Sequence, residues 1–325
     1  PPAPLRAWRC RSASKAVRLT GPRIRDFRTI EEAAIEPGPR ATVVYGPNGH
    51  GKTNLLEAIY LLATLRPLRT TRYAELPRFG AECAEVTGEW EVAGSDREIS
   101  VRLEEGKRIA RLDQKRVRDL EAYFGGISVV AFTPDDLQVI KGGPELRRRH
   151  LDRAVFNRFP AFLGESRAYT KALRSRNRLL KEEAPTEMIE AFDGPLAQAG
   201  ARIVMRRRAL LAELGPRFQQ TLASLSKGQL EGSLRYRSEF APAKADEATV
   251  RDALAAALRE RLEKDRARGY TGVGPQADRL EFVLGGRAAR SYASQGQQRA
   301  LVLAWKIAEI ENLRDHLGYQ PLLLL

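Results

Sequence analysis

The sequence predicts an α/β fold with a mixed sheet, an antiparallel layer and a second, helical lobe, and three observations predict it. A glycine-rich loop pattern stands between a β-rich run and an apolar helix near residue 50. Strict period-two alternation comes next over residues 83–112, and from Pro144 onward apolar residues recur at helical spacing. The 325 residues, 43% hydrophobic and 30% charged, suffice for one large lobe with a substantial partner lobe.

The first element is the most specific. Ala41, Thr42, Val43, Val44 and Tyr45 read as a short strand, and Gly46-Pro47-Asn48-Gly49-His50-Gly51-Lys52-Thr53 then matches G-x-x-x-x-G-K-[ST] at each fixed position. Leu55, Leu56, Ile59, Leu62 and Ala63 continue as a helix. Glycines let the backbone curl so that the N–H groups of Asn48 to Lys52 face phosphate at a helix N-terminus, whose dipole favours anions. Lys52 adds a point charge, and Thr53, followed by Asn54, offers a hydroxyl to Mg²⁺, an oxygen-seeking ion. The expected ligand is ATP with Mg²⁺.

The antiparallel layer comes next. Ala84, Val86, Trp90 and Val92 alternate with polar residues, Gly94-Ser95-Asp96 marks a turn, and Ile99, Val101 and Leu103 alternate again. A second turn at residues 104–107 leads to a third strand near residues 109–112. A buried strand is expected at residues 127–132, ended by Thr133-Pro134-Asp135-Asp136, where proline stops the strand and the carboxylates can cap the succeeding helix.

The helical lobe is expected over residues 136–267. Its segments are marked by Leu146, His150, Leu151 and Val155, by Tyr169, Ala172, Leu173 and Leu180, by Ile189, Phe192, Leu196, Ala199 and Ile203, and by Leu254, Leu258 and Leu262. Arginines crowd this lobe at Arg147-Arg148-Arg149, at Arg174, Arg176 and Arg178, and at Arg206-Arg207-Arg208. Single clusters are commonly solvated faces, but together they suit phosphate contacts that give affinity without reading sequence. The two triplets are the candidate DNA contacts. A formal charge of +14, with 55 Lys and Arg against 41 Asp and Glu, also favours a polyanionic partner.

After Gly269 the chain is expected to return to the first sheet. Leu280, Phe282 and Leu284 alternate, Gly285-Gly286 turns, and Ser294-Gln295-Gly296-Gln297-Gln298-Arg299 opens another helix. The lobes so defined are 18–135 with 268–325, and 136–267, preceded by a disordered, basic extension over 1–17. No apolar run approaches the roughly 20 residues of a spanning helix, and no membrane partner is expected. Cys10 and Cys83 have no metal-like spacing and predict no structural disulfide, in keeping with a cytoplasmic location.

Ser294 to Arg299 resembles the signature loop of ABC-type ATPase heads, in the form found in the RecF family of recombination-repair proteins. The residues from Gly46 to Ile59 with Arg69-Thr70, Phe132 to Leu137 continuing through Lys141-Gly142, Arg147-Arg148 and Asp152, Gly274-Pro275, and Asp26-Phe27-Arg28 also resemble that family. The resemblance runs from about residue 18 to the end. It implies a P-loop ABC-type head that dimerises on ATP, with Ser294, Gln295, Gly296 and Gln297 contacting the nucleotide held by the opposite copy. It implies DNA binding at gaps or single-strand/double-strand junctions, with RecR and RecO as partners and RecA loading as the outcome.

Two positions depart from the family pattern. Gln276 and Ala277 stand where the family has His and Arg, and the run Pro321 to Leu325 resembles the strand leading into a Walker B acidic pair without reaching those acids. No catalytic residue is therefore expected among these residues, and the expectation for them is weak nucleotide binding and poor hydrolysis. Three other readings stay open on the sequence: an SMC-like or transporter-type ABC head, a P-loop kinase acting on a small molecule, and a non-hydrolysing DNA-binding relic.

Overall fold

The computed structural model describes residues 17–70, 72–92, 95–117, 123–124 and 127–325, in two compact units: one up to Phe132 with Leu313–Leu325, the other Thr133–Asn312. Residues 1–16, with Cys10, and Gly94 of the expected turn lie outside the described residues. Val17, assigned by sequence to the extension, is buried. Cys83 carries a free thiol.

In the first unit the alternating segments form a six-stranded antiparallel sheet. Its strands are β1 (Arg18–Phe27), β2 (Ile30–Ala34), β3 (Cys83–Val92), β4 (Ser95–Glu104), β5 (Lys107–Leu112) and β6 (Lys115–Arg116), in the order β2-β1-β3-β4-β5-β6. One face carries Ile24, Val86, Val101 and Ala110 in a single cross-strand row, with Leu19 and Trp90 in another, all buried. Each large side chain so placed contributes about 1.5–3 kcal/mol. Against this face packs α1 (Lys52–Thr64), and a Cβ at Gly88 would stand only 2.7 Å from Leu19 and 2.9 Å from Leu62. Glycine there sets how closely helix and sheet approach.

The unit also holds a two-stranded parallel sheet, β7 (Val129–Ala131) with β11 (Leu322–Leu324). The strand expected at residues 41–45 differs. Tyr45 is a lone bridge residue and joins no ladder among the described residues, while Val43 and Tyr45 are 62% and 54% exposed. A β-rich sequence forms a strand only where a neighbour completes its hydrogen bonds.

The second unit is mainly helical. It comprises α2 (Gln138–Lys141), α3 (Pro144–Arg158), α4 (Phe162–Lys181), α5 (Thr186–Glu190), the 33-residue α6 (Asp193–Leu225), α7 (Glu247–Glu260), α8 (Leu262–Arg268), α9 (Ala289–Tyr292) and most of α10 (Gln295–Leu317). Pro144 begins α3, where a missing N–H costs nothing. Three strands, β8 (Gly232–Arg237), β9 (Arg279–Leu284) and β10 (Arg287–Ala288), make an antiparallel sheet in the order β10-β9-β8.

Here the structure corrects one expectation. The segment after Gly269 does not rejoin the six-stranded sheet, because β9 pairs along its full length with β8, from Arg237↔Arg279 to Gly232↔Leu284. Residues 279–284 therefore belong to the second unit.

The helical core is stapled by charge as well as packing. Arg176, with no exposure, donates from Nε to Asp193 at 2.8 Å and from Nη1 to Asp265 at 2.9 Å and Thr271 at 2.8 Å. This one guanidinium ties α4 to α6, α8 and the strand-ward loop. Replacing it by alanine leaves two buried carboxylates without counter-charge. We expect Arg176→Ala to lose about 3–5 kcal/mol of stability in urea unfolding, and a loss below about 1 kcal/mol would show the network to be idle.

Candidate nucleotide-binding and signature sites

The phosphate loop has the backbone its glycines allow. Gly46, Gly49 and Gly51 sit at φ 152°, 85° and 85°, conformations that side-chain-bearing residues rarely adopt. Gly51 is the N-cap of α1, and a Cβ there would also press on Ile30 at 3.3 Å. The exposed run from Gly46 to His50 therefore curls over the N-terminus of a 13-residue helix. Lys52 Nζ donates to the carbonyls of Gly46 at 2.8 Å and Pro47 at 2.7 Å, which holds the ammonium over the loop. Thr53, the next residue along the helix, is exposed.

What fixes this helix is a charge cluster that no sequence motif marks. Glu57 has no exposure and lies one turn below the loop. Arg28 donates to it from Nε at 3.0 Å and Nη2 at 3.2 Å. Arg69 donates from its backbone N at 3.3 Å, from Nε at 3.2 Å and from Nη2 at 2.7 Å. Burial alone would raise the carboxyl pKa, but the two arginines carry it below its ordinary value. Asn54 completes the cluster, donating to Thr29 at 2.7 Å and accepting from Arg69 at 2.6 Å. The available signal was an acid inside an apolar helical run.

The Ser294 segment forms a reciprocal cap at the start of α10. Ser294 N donates to Gln297 Oε1 at 2.8 Å, and Gln297 N donates to Ser294 Oγ at 3.3 Å. Ser294, Gln295 and Gly296 are exposed and Gln297 is half-buried. The Ser294 hydroxyl accepts in this cap, so its own proton remains free to donate.

Polar anchors hold α10 in place within the second unit. Asp136 accepts from the N and Oγ1 of Thr133 at 2.7 and 3.2 Å, reaching back to its own turn. It lies 3.8 Å from Lys306 and 3.6 Å from His150 Nδ1, with Arg153 also at 3.8 Å. Asn157 donates to Glu309 at 2.9 Å, and Asn312 to Glu213 at 2.9 Å. Beneath these, Trp305 meets His150 and Phe282 with ring centroids at 5.2 and 5.7 Å. Burial holds His150 below its usual pKa, and Lys306 adds to that effect. Hydrogen bonding and the nearby cations outweigh burial at Asp136 and hold it well below the usual carboxylate range.

The two arginine triplets are placed less uniformly than the sequence suggests. Arg207 is buried, donating to both oxygens of Asp152 at 2.8 and 3.0 Å and to Pro275 O at 2.8 Å, and it presents no charge to solvent. Arg147 is buried and donates to Gly142 O; Arg148 donates to Asp278 O, and Arg208 to Ala241 O. Arg149, paired with Glu145, keeps 58% of its side chain exposed, while Arg206, paired with Glu165, is half-buried, as are Arg148 and Arg208. Consecutive helical residues project about 100° apart, so three in a row cannot share a face. Gln276 accepts from the Tyr169 hydroxyl and donates to Thr271 O and Val273 O at 3.2 and 2.9 Å, knitting its own loop.

Two measurements test this geometry. Arg28→Ala combined with Arg69→Ala strands Glu57 and should cost about 3–5 kcal/mol in urea unfolding. Glu57→Gln should cost less, because Arg28 and Arg69 are already 21% and 38% exposed and can return to water; equal costs would disprove the hub. For His150, a native pKa below 6.5 means the unfolded chain binds the proton first as pH falls. Its stabilising contribution is complete above pH 6.5 and is lost on acidification. Thermal melts between pH 8 and pH 5.5 should show a smaller drop for His150→Phe than for wild type, both pH values being about one unit or more either side of that titration.

A family model described as an AAA domain matches residues 23–264. The DNA replication and repair protein RecF of Myxococcus xanthus (strain DK1622) is 54% identical over 316 residues, covering 95% of this chain and 83% of the relative. RecF of Geobacter sp. (strain M21) is 41% identical over 303 residues, with coverage of 93% and 83%. The solved structure of the recombination mediator protein RecF with ATP superposes with a TM-score of 0.87 at 29% identity, covering 96% of this chain and 85% of that one. No helix among the described residues is long and apolar enough to cross a membrane. A phosphate loop, a capped Ser294 turn and identity of this extent across nearly the whole chain lead to one conclusion: the chain belongs to the RecF family.

Proposed function

We propose that this chain is an ATP-dependent DNA-binding protein of recombinational repair, which dimerises on ATP and acts at gapped or junction DNA. The observation that carries the reading is the formed phosphate loop, with three glycines at positive φ and Lys52 held over a helix N-terminus. In this reading Gly46, Pro47, Asn48, Gly49, His50, Gly51, Lys52, Thr53 and Asn54 surround the triphosphate of ATP. The N–H groups and the Lys52 ammonium match its charge, and Thr53 supplies a ligand to Mg²⁺.

Ser294, Gln295, Gly296 and Gln297 then face the γ-phosphate bound by a second copy. ATP favours the dimer only through contacts the monomer lacks, and an exposed hydroxyl and backbone at a helix N-terminus supply them. Arg149, the exposed member of its triplet, and Arg206, half-buried beside Glu165, remain as phosphate contacts for DNA. The RecFOR pathway named for the ATP-bound relative supports RecR and RecO as partners, and in this reading RecA loading is the outcome. We assign this chain binding and interface residues.

The test separates binding from association. Lys52→Ala should weaken ATP binding by about tenfold to a hundredfold, the loss of one charged hydrogen-bonding group. Ser294→Arg should bind ATP as wild type does yet sediment as a monomer with ATP and Mg²⁺. Normal ATP-dependent dimers of Ser294→Arg would refute the interface.

A further inference from the structure

The arginine triplets scatter their charge, but another set of cations does not. Along α4, Arg167, Lys171, Arg174, Arg178 and Lys181 recur at alternating spacings of four and three, and all five are exposed. Over the span of these cations the buried side of the same helix is Tyr169, Ala172, Arg176, Leu179 and Leu180, with Phe162 and Leu163 buried in the first turn before the stripe begins. At 100° per residue the two sets lie on opposite sides of the helix. The cations thus form one straight stripe about 21 Å long.

The stripe is not neutralised. Arg178 approaches Glu182 at 3.8 Å, with both side chains more than half exposed, which is a weak pairing. The side chains of Arg167, Lys171, Arg174 and Lys181 take part in no hydrogen bond or ion pair among the described residues. Like charges three and four apart on a helix oppose its stability, so the arrangement carries a structural cost. The one acid in the first turn of α4, Glu165, is taken up by Arg206.

An aromatic ring stands at the end of the stripe. Gly269 passes close to Lys181, so that a Cβ there would lie 3.4 Å from Lys181 Cγ. Thr271 is pinned to the same helix, its N and Oγ1 donating to Asn177 Oδ1 at 2.8 and 2.7 Å. Tyr270 between them is held beside the last turns of α4 and is 49% exposed. An exposed tyrosine on a segment tied down beside a row of cations fits nucleic acid better than an acidic protein surface, because bases stack on aromatic faces while phosphates meet cations.

We propose that the exposed face of α4 is a DNA-binding surface on which Arg167, Lys171, Arg174, Arg178 and Lys181 grip the phosphate backbone and Tyr270 stacks on an unpaired base. About 21 Å of duplex axis carries roughly a dozen phosphate charges, ample for five cations. The surface gives the chain a reason to favour duplex that adjoins a single strand: the stripe holds the paired part and the ring holds the first unpaired base. This rests on the DNA-binding reading above and specifies where the contact lies.

The experiment measures binding of a fluorescent duplex and a fluorescent gapped duplex to the full 325-residue chain, with ATP and Mg²⁺, across a salt series. Combined Arg167→Ala, Lys171→Ala and Arg174→Ala should weaken both probes at least tenfold at about 0.1 M salt and flatten the log–log salt slope by about 2–3. Its melting temperature should equal or exceed that of wild type, since the three side chains touch no core and their mutual repulsion is relieved. Tyr270→Ala should weaken only the gapped probe, about tenfold, and leave the salt slope unchanged. A triple variant with wild-type affinity and slope overturns the surface and leaves the stripe as a solvated face or a site for an acidic protein. Equal losses on both probes with Tyr270→Ala overturn the stacking role. If wild type binds neither probe at low salt, the DNA-binding reading itself fails, and this surface with it.

Discussion

The first unit depends on a single buried carboxylate. Glu57 has five donated hydrogen bonds from two arginines, one from the turn between β1 and β2 and one from the segment after α1. The phosphate loop has no apolar side chains with which to hold itself, and its glycines are soft. Its position is therefore inherited from α1, and the position of α1 from Glu57 and the close approach at Gly88. A residue outside the loop thereby controls where the loop's amides point.

The Ser294 turn is built on the same plan with different parts. Exposed at the head of α10, it has nothing above it to fix it, so the helix is secured further along its length by Lys306, Glu309 and Asn312. Charged and amide anchors are directional in a way that apolar packing is not, and a helix held by them resists rotation about its axis. Both sites thus combine an exposed tip with a polar clamp one or more turns away.

Much of this was legible in the sequence, and the gaps have physical causes. The loop, the alternating strands and the helical lobe are set by local period and glycine placement, which act over a few residues. Val43 and Tyr45 read as strand because propensity is local, whereas a ladder is not. The pairing of β8 with β9 joins residues more than forty apart in sequence, which no local period can announce. Charged residues misled most: Glu57, Arg176 and Arg207 look like surface by type, yet each is the buried centre of a network. Arg147 to Arg149 drew attention as a run, while the aligned cations of α4 were visible only once spacing, and not adjacency, was counted.

The reciprocal cap at Ser294 and Gln297 also limits what that turn can offer a visitor. The Ser294 amide is already committed to Gln297 Oε1, and the Gln297 amide to Ser294 Oγ. An incoming oxygen is left with the serine hydroxyl proton and the amides of Gln295 and Gly296, a short and fixed inventory. Gln297 therefore acts as a gatekeeper of valence: a side chain there that could not accept would release the Ser294 amide to the outside and change the number of oxygens the turn satisfies, without altering any surface the visitor meets.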